Sequence, residues 1–215
     1  MKKGVFIVIE GPDRSGKTTQ ANLLKKWLEK MNKKVVLTRE PGGTKLSEEI
    51  RKILLNPTNK IVDLSELFLY EAARAQHVKE KIIPAIKKGK IVICDRFTMA
   101  TEAYQGYGRK LDLKNIKKLN EIATQGLKPD LTIVMIMPDD EFEKRKRTKF
   151  YGLSKEKIKK IDRIEKENSK FRKRVNLAYK KLASKGKNIL RIDATNNINK
   201  INEEIKRKMR KIINL

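Results

Sequence analysis

Residues 9–20 read "IEGPDRSGKTTQ", a glycine-rich segment between a short apolar run and an amphipathic pattern. Gly11, Gly16, Lys17 and Thr18 fit G-x-x-x-x-G-K-[ST], the spacing in which backbone N–H groups turn inward around a polyphosphate. The segment therefore predicts a P-loop between a strand and a helix. The pattern alone does not identify the nucleotide or the group that receives its phosphate.

Apolar runs before and after this loop predict strands that are buried on both faces. They are "VFIVIE", "KVVLTRE", "KIVICDR", "DLTIVMIM" and "NILRID". One helical pattern follows the loop directly, and others fall at about 63–88, where Pro84 is expected to bend the helix, 112–125, 155–184 and 198–213. Strands that alternate with helices predict a parallel sheet covered on both sides, with ligands at the carboxyl ends of its strands.

Length and composition favour a single domain over residues 1–215, because no Pro/Gly/Ser-rich linker and no internal repeat divides the chain. The longest apolar runs are far shorter than the roughly 20 residues that span a bilayer. The first strand pattern begins too early to leave room for a signal peptide. Since Cys94 and His77 are the only cysteine and histidine, no internal disulfide and no zinc cluster are expected. We expect a soluble, cytoplasmic protein with no membrane partner.

The formal net charge is +27, from 53 Lys and Arg against 26 Asp and Glu, which attracts polyanions of many kinds. Much of this excess lies in residues 144–174, where the acids are only Glu156, Asp162, Glu165 and Glu167. The segment fits either a nucleic-acid footprint or a basic flap over phosphates on a lysine-rich surface. The flap is favoured, because few aromatic side chains are present on which bases could stack.

Residues in and near the loop predict phosphoryl transfer. Lys17 is expected to reach the β- and γ-phosphates of a nucleotide, while Thr18 and Asp95, the last residue of "IVICD", supply oxygen ligands for Mg²⁺. Arg14 lies inside the loop, where its guanidinium can neutralise charge that develops on the transferred phosphoryl group. The alternative role of Asp95 is to cap the next helix.

Arg39, Arg74 and Arg96 each lie at a predicted strand end or on a helix expected to face the pocket. Their forked donors suit a second phosphate, which suggests an acceptor that already carries one. The oxygen that receives the phosphoryl group is then anionic. No general base is required, and catalysis can consist of positioning and electrostatic stabilisation.

Six segments carry a closer resemblance: "FIVIEGPDRSGKTTQ", "TREPGGT", "ELFLYEAARAQHV", "CDRFTMATEAYQGYGR", "LKPDLTIVM" and "RIDAT". Over about residues 4–195 they resemble, in order and spacing, the thymidylate kinases of the nucleoside monophosphate kinase group. The resemblance implies an α/β P-loop three-layer sandwich with a five-stranded parallel sheet, helices on both faces and a mobile lid at about 143–160. It also implies ATP·Mg²⁺ as donor, dTMP as acceptor, dTDP for dTTP biosynthesis as product, and a homodimer.

The same resemblance implies the site residues. For ATP they are Gly11, Pro12, Asp13, Arg14, Ser15, Gly16, Lys17, Thr18 and Thr19, and for the metal Thr18 and Asp95. For dTMP they are Asp13, Arg39, Tyr70, Arg74, Arg96, Thr101, Tyr104 and Gln105. Arg39 and Arg96 are expected at the dTMP phosphate, Arg74, Thr101 and Gln105 at the base, and Tyr104 at the sugar. Arg14, Lys17 and Arg96 are the expected catalytic residues.

The sequence departs from the family pattern at three places. Tyr70 stands where the family usually has a phenylalanine that stacks on thymine, and tyrosine keeps the aromatic face. Met137, in "IMPDDE", cannot act as the carboxylate of the usual acidic segment. The segment "KRKRTKFYG" at 144–152 lacks the arginine spacing of relatives that use a catalytic arginine from the lid, so Arg14 is assigned that role. Other arginines near the lid fit either phosphate contacts or solvated surface: Arg145, Arg147 and Arg163.

Three other functions stay open from the residues. A nucleoside monophosphate kinase of broader specificity would accept dUMP or UMP with the same machinery. A nucleic-acid-binding P-loop ATPase would use the positive charge but would not need the second-site motifs. A catalytically silent binding module is weakly supported, because Arg14, Lys17, Thr18 and Asp95 are all present.

Overall fold

The computed structural model describes residues 4–138, 140–141, 144–145, 162–184, 186 and 188–213. Most of the predicted lid, at about 143–160, lies outside these residues, and so does Arg147. No helix in the described ranges is long and apolar enough to cross a membrane.

Five strands form one parallel sheet in the order β2-β3-β1-β4-β5. They are β1 (Val5–Glu10), β2 (Val35–Arg39), β3 (Ile91–Asp95), β4 (Leu131–Ile136) and β5 (Ile189–Asp193). Each coincides with one of the five apolar runs, so the predicted parallel sheet is confirmed. In register, Asp95 of β3 lies beside Ile9 of β1 and Arg39 of β2. The carboxyl ends of these three strands are therefore level.

Helices connect the strands and cover both faces of the sheet. They are α1 (Lys17–Lys30), α2 (Lys45–Leu55), α3 (Asp63–His77), α4 (Ile83–Lys87), α5 (Thr98–Thr101), α6 (Leu113–Thr124), α7 (Ser169–Ala183) and α8 (Ile198–Ile212). A wider π-helical turn, Val78–Ile82, joins α3 to α4, and a second, Glu102–Gly108, continues α5. The first lies just before Pro84, which lacks the N–H group that an α-helix would use.

The alternation of strand side chains places two hydrophobic cores on opposite faces of the sheet. On one face, Ile7 and Ile9 pack with Leu24 of α1 and Ile205 of α8. On the other face, Phe6, Val8 and Val92 pack with Val78 and Ile82 of the first π-helical turn. Both faces are thus dry, which explains why the strand sequences are apolar throughout.

One helical prediction needs correction, and two helical segments were not predicted. The pattern at 155–184 predicts one helix, but residues 162–168 are not helical and include a turn at 163–166. Residues 155–161 lie outside the described ranges. The helix begins at Ser169 because the Asn168 side chain accepts a hydrogen bond from the backbone N–H of Phe171. Sequence reasoning also missed α2, whose cap is Thr44, and the helical segment 98–108.

Replacing Asn168 with Ala tests this helix start. The substitution removes the acceptor for an N–H at the first turn of α7, so we expect the free energy of unfolding to fall by about 1 kcal/mol. Urea denaturation measures the change, and Asn168→Asp, which keeps a capping oxygen, is the matched control. Equal stability of the Ala variant and the parent chain would contradict the assigned cap.

Candidate active site

The carboxyl ends of β1, β2 and β3 bring the sequence motifs together. The loop after Glu10 leads into α1, Arg39 ends β2, and Asp95 and Arg96 follow each other at the end of β3. Two backbone hydrogen bonds fasten this edge, from Glu40 N to the Asp95 carbonyl at 3.0 Å and from Arg96 N to the Ile9 carbonyl at 2.9 Å. Functional side chains from three separate segments therefore lie in one site.

The loop turns tightly at residues with positive φ. Gly11 has φ 143° and Gly16 has φ 94°. A Cβ on Gly11 would lie 2.5 Å from the carbonyl oxygen of Met135, so this position requires glycine. Lys17 Nζ donates to the carbonyl of Pro12 at 2.7 Å. Burial, reinforced by the positive charge of Arg96, lowers the pKa of Lys17 to about 8.

Thr18 and Asp95 form the oxygen pair that the sequence predicts for a metal. The Thr18 hydroxyl donates to Asp95 Oδ2 at 2.6 Å, across 77 residues of sequence. A hydroxyl and a carboxylate are hard oxygen donors of the kind that Mg²⁺ prefers. The pair fits Mg²⁺ in its chemistry and in its place beside the loop.

Arg96 has φ 74°, an uncommon conformation for a non-glycine residue, and is the hub of the site. Its Nη2 donates to Asp13 Oδ1 at 2.6 Å and to the Tyr104 hydroxyl at 3.0 Å. Its Nη1 donates to the Gly11 carbonyl at 3.1 Å and to the Tyr179 hydroxyl at 2.9 Å. One guanidinium thus joins the loop to the second π-helical turn and to α7.

Asp13 stays ionised in this arrangement. Burial acts to raise its pKa, but the charges of Arg96 and Lys17 and hydrogen bonds from Tyr104 and Arg96 outweigh burial and hold the pKa below its usual value. The Tyr104 hydroxyl donates to Asp13 Oδ2 at 2.9 Å. Asp13 therefore acts as an acceptor that orients its neighbours.

Glu10 lies beneath the loop and is fully buried. Its Oε1 accepts from the Phe97 N–H at 2.7 Å, and its Oε2 accepts from the Tyr179 hydroxyl at 3.1 Å. Burial raises the pKa of Glu10 to about 7, although Arg96 and these hydrogen bonds oppose the rise. Glu10 supports the segment after β3 from inside the protein.

Two cavities open at this edge. The first, called the loop cavity, is lined by Asp13, Arg14, Gly16, Lys17, Thr18, Thr19, Arg39, Glu40, Arg51, Asp95 and Arg96. Nine of these eleven residues are predicted site residues. Gly11, Pro12 and Ser15, also predicted, do not line it; Gly11 and Pro12 supply carbonyls to Arg96 and Lys17, and Ser15 is buried.

The second, called the inner cavity, has a volume of about 80 Å³. Its lining includes seven predicted residues: Asp13, Tyr70, Arg74, Arg96, Thr101, Tyr104 and Gln105. The others are Glu40, Pro41, Arg51, Ala100, Asp162 and Ile164. Asp13, Glu40, Arg51 and Arg96 line both cavities, so the two spaces meet at these residues.

Arg74 differs from Arg96 in its surroundings. It is 2% exposed and donates to two carboxylates, Glu40 at 2.8 Å and Glu71 at 2.5 Å. It also donates to the Thr101 hydroxyl and to the Phe97 carbonyl. These contacts neutralise Arg74 and fix its plane, which suits recognition of a neutral polar edge better than recognition of a phosphate.

The three arginines expected around a second phosphate therefore do not all line the same cavity. Arg39 lines only the loop cavity and pairs with Glu48 at 3.0 Å, Arg74 lines only the inner cavity, and Arg96 lines both. Arg51 of α2 also lines both cavities and donates to the Pro41 carbonyl at 2.8 Å.

Sequence reasoning missed Arg51, Tyr179, Glu10 and Asp162. Arg51 lies on α2, a helix that was not predicted, and Tyr179 reaches Arg96 and Glu10 from α7. Glu10 carried a signal, since it is the charged residue that ends an apolar strand directly before the P-loop. For the other three, no signal was present in neighbouring residues.

Arginines near the lid form hydrogen bonds and ion pairs with other residues of the protein. Arg145 donates to the carbonyls of Arg14 at 3.1 Å and Ala194 at 2.6 Å. Arg163 pairs with Glu66 at 2.6 Å, and the Arg14 guanidinium pairs with Glu165 at 3.3 Å. Arg14 nevertheless lines the loop cavity, where the sequence predicts it.

The family model described as thymidylate kinase matches residues 9–205. The thymidylate kinase of Prochlorococcus marinus (strain NATL2A) is 47% identical over 218 residues, which cover 98% of either chain. That of Pelotomaculum thermopropionicum is 47% identical over 184 residues, or 85% of this chain and 82% of the relative. The crystal structure of thymidylate kinase from Ehrlichia chaffeensis matches with a TM-score of 0.76 and 33% identity, over 97% of this chain and 99% of its own.

The buried carboxyl of Glu10 generates a pH prediction. Its folded-state pKa of about 7 lies above the ordinary value of 4.5, so between these values the unfolded chain releases this proton first. We expect the difference in free energy of unfolding between the parent chain and Glu10→Gln to fall from pH 4.5 to 7 and to stay level above pH 7. Urea titrations across this range measure it. A difference that rises with pH would contradict the raised pKa.

Proposed function

The chain belongs to the thymidylate kinase family and transfers a phosphoryl group from ATP to dTMP, and we propose that the transfer occurs where the loop cavity meets the inner cavity. The observation that carries this proposal is the shared lining of the two cavities by Asp13, Arg51 and Arg96. A donor in one cavity and an acceptor in the other would place their phosphates beside these residues. This geometry suits direct in-line transfer, in which positioning supplies much of the rate.

On the donor side, the backbone of residues 11–19 cradles the ATP phosphates at the positive end of α1. Lys17 is released from the Pro12 carbonyl to reach the β- and γ-phosphates, whose charge favours its protonated form. Thr18 and Asp95 would hold Mg²⁺, which would supply neutralising charge to the phosphates.

On the acceptor side, Arg96 and Arg51 bind the dTMP phosphate from the wall that both cavities share, and Arg39 reaches the same phosphate from the loop cavity. Arg96 is preorganised, because Asp13 holds one edge of its guanidinium and the Tyr179 hydroxyl accepts from another nitrogen. Since the acceptor is itself a phosphate oxygen, its nucleophile is already anionic. Arginines that neutralise the approaching charges then lower the barrier.

The rest of the inner cavity holds the nucleoside. Tyr70 stacks on thymine, and the neutralised Arg74 and Gln105 contact the polar edge of the base beside Thr101. Tyr104 packs at the sugar, where its ring leaves little space for a 2′-hydroxyl, because its hydroxyl is held by Asp13 and Arg96. The 1% exposed Gln105 is buried at the cavity wall, which makes its polar contacts selective.

Homodimer formation and a cytoplasmic location are part of the same proposal. Exposed apolar side chains are concentrated on α2 and α3: Leu46, Ile53, Leu64 and Phe68, each about half exposed. Leu64 and Phe68 lie four residues apart and so share one face of α3. This apolar surface supports the association of two copies of the chain. The cytoplasmic location is supported by the need for ATP, which is available there.

ADP release with dTMP, dUMP, UMP, dCMP and AMP offered singly tests the function. We expect dTMP to give the highest kcat/KM and single-stranded DNA to give no stimulation, because the inner cavity is built for one nucleotide. Lys17→Ala supplies the background rate. Weak, unselective turnover that DNA stimulates would instead favour a nucleic-acid-dependent ATPase.

Arg14→Ala tests the catalytic arginine. Its contact is proposed to strengthen as charge develops on the transferred group, so we expect kcat to fall roughly 10³-fold while the affinity for ATP changes far less. Arg14→Lys keeps the positive charge but not the forked donors of the guanidinium, so its kcat should lie between those of the parent chain and Arg14→Ala. Both variants keep a Cβ at φ 65°, so they do not differ in backbone strain. Unchanged kcat in steady-state kinetics would remove Arg14 from the mechanism.

A further inference from the structure

The side-chain amide of Gln105 has one orientation that its surroundings allow. Its NH₂ group donates to Glu66 Oε1 at 2.7 Å, and both side chains are buried. An ionised carboxylate only accepts hydrogen bonds, so Gln105 must turn its NH₂ group toward Glu66. The amide oxygen, which has no protein donor among the described residues, is the group left for the inner cavity that Gln105 lines.

Glu66 is itself held as a carboxylate. Oε1 also accepts from Arg109 Nε at 3.1 Å, while Oε2 accepts from Arg109 Nη2 at 3.0 Å and pairs with Arg163 at 2.6 Å. Burial acts to raise the pKa of Glu66, but these arginines and Gln105 outweigh it and keep the pKa below its usual value. Glu66 therefore stays an acceptor at neutral pH.

We propose that Glu66 is a positioning residue that sets base selectivity by fixing the Gln105 amide with its oxygen toward the bound base. The proposal rests on the proposed placement of the base in the inner cavity. A fixed acceptor matches the N3–H donor of thymine. It opposes cytosine, whose N3 is an acceptor, because two acceptors would face each other without a hydrogen.

Arg74, which also lines the inner cavity, favours the same bases. Glu40 and Glu71 fix its guanidinium, which can only donate, so its partner on a base must be an acceptor. A keto oxygen satisfies this requirement, whereas the exocyclic amino group of cytosine does not. One fixed acceptor and one fixed donor thus read the keto form of a pyrimidine.

Glu66→Gln should reverse the orientation of Gln105. The new amide keeps its oxygen at the Oε2 position, where two arginine contacts are made, because only one, from Arg109 Nε, is made at Oε1. Its NH₂ group then lies at the Oε1 position, which faces Gln105. Gln105 then turns its oxygen toward residue 66 and its NH₂ group toward the base. That donor now suits cytosine N3.

The experiment measures kcat/KM of Glu66→Gln for dTMP, dUMP and dCMP. We expect the ratio of dTMP to dCMP to fall at least tenfold, mainly through KM. The ratio of dTMP to dUMP should not change, because these bases share the same polar edge. Glu167→Gln is the matched control, since Glu167 also pairs with Arg109 but not with Gln105, and its dTMP to dCMP ratio should equal that of the parent chain.

The exchanged pair, Glu66→Gln with Gln105→Glu, separates orientation from packing. Its carboxylate at position 105 presents an acceptor to the base in either rotamer, so we expect preference for dTMP over dCMP to return. Should the single Glu66 variant not fold, the exchanged pair carries the test, because it keeps the number of buried charges. A preference that is not regained, or a Glu66→Gln ratio equal to that of the parent chain, would overturn the proposal.

Gln105→Leu distinguishes failure of this inference from failure of the base assignment. If Gln105→Leu lowers the ratio of kcat/KM for dTMP to that for dCMP and Glu66→Gln does not, Gln105 contacts the base without being oriented by Glu66. The inference about Glu66 then fails, while the proposed placement of the base stands. If Gln105→Leu leaves the ratio unchanged, the base does not contact Gln105, and the proposed placement fails with it.

Discussion

The ion pair between Arg96 and Asp13 is the contact on which the geometry of both cavities depends. Arg96 follows β3 in a left-handed conformation, and Asp13 belongs to the loop after β1, so the pair ties two strand ends together at 2.6 Å. The same guanidinium reaches Tyr104 and Tyr179, which places the second π-helical turn and α7 around it. Asp13 and Arg96 form half of the wall that the loop cavity and the inner cavity share, and Glu40 and Arg51 complete it.

Buried carboxylates perform a related task elsewhere in the site. Glu40 and Glu71 hold Arg74, and Glu66 holds Arg109 and Arg163. Taking such charges out of water is costly unless each is paired and hydrogen-bonded, so these groups are weak evidence for stability. Their role is to orient the arginines. A side chain that is fixed before binding loses little conformational freedom when a ligand binds. In a chain of net charge +27, these buried carboxylates therefore fix the orientation of the arginines beside them.

The sequence predicts the sheet well because strands buried on both faces are apolar throughout and each ends at a recognisable motif. Asp95 and Arg96 are predicted as site residues for that reason, because Asp95 ends such a strand and Arg96 directly follows it. Glu66 gave no such signal, since its partners Arg109 and Arg163 come from segments 43 and 97 positions away. The helix predicted at 155–184 was wrong over 162–168 because a cap at Asn168 restarts the helix, and a periodic pattern does not register such a break. Local patterns thus predict elements, whereas side-chain orientation depends on tertiary contacts.

The described carboxyl groups that line both cavities also decide what kind of catalysis this site can perform. Asp13 accepts from Arg96 and Tyr104, and Glu40 accepts from Arg74 and lies 3.0 Å from His77. Neighbouring charges and hydrogen bonds hold the pKa of either acid below its usual value despite burial, so neither is suited to accept a proton at neutral pH. An acceptor that is already anionic needs no such base. The chemistry left to the protein is to bring two negatively charged phosphates together, and Lys17, Arg14 and Arg96 are cations that line the cavity where we propose that the phosphates meet.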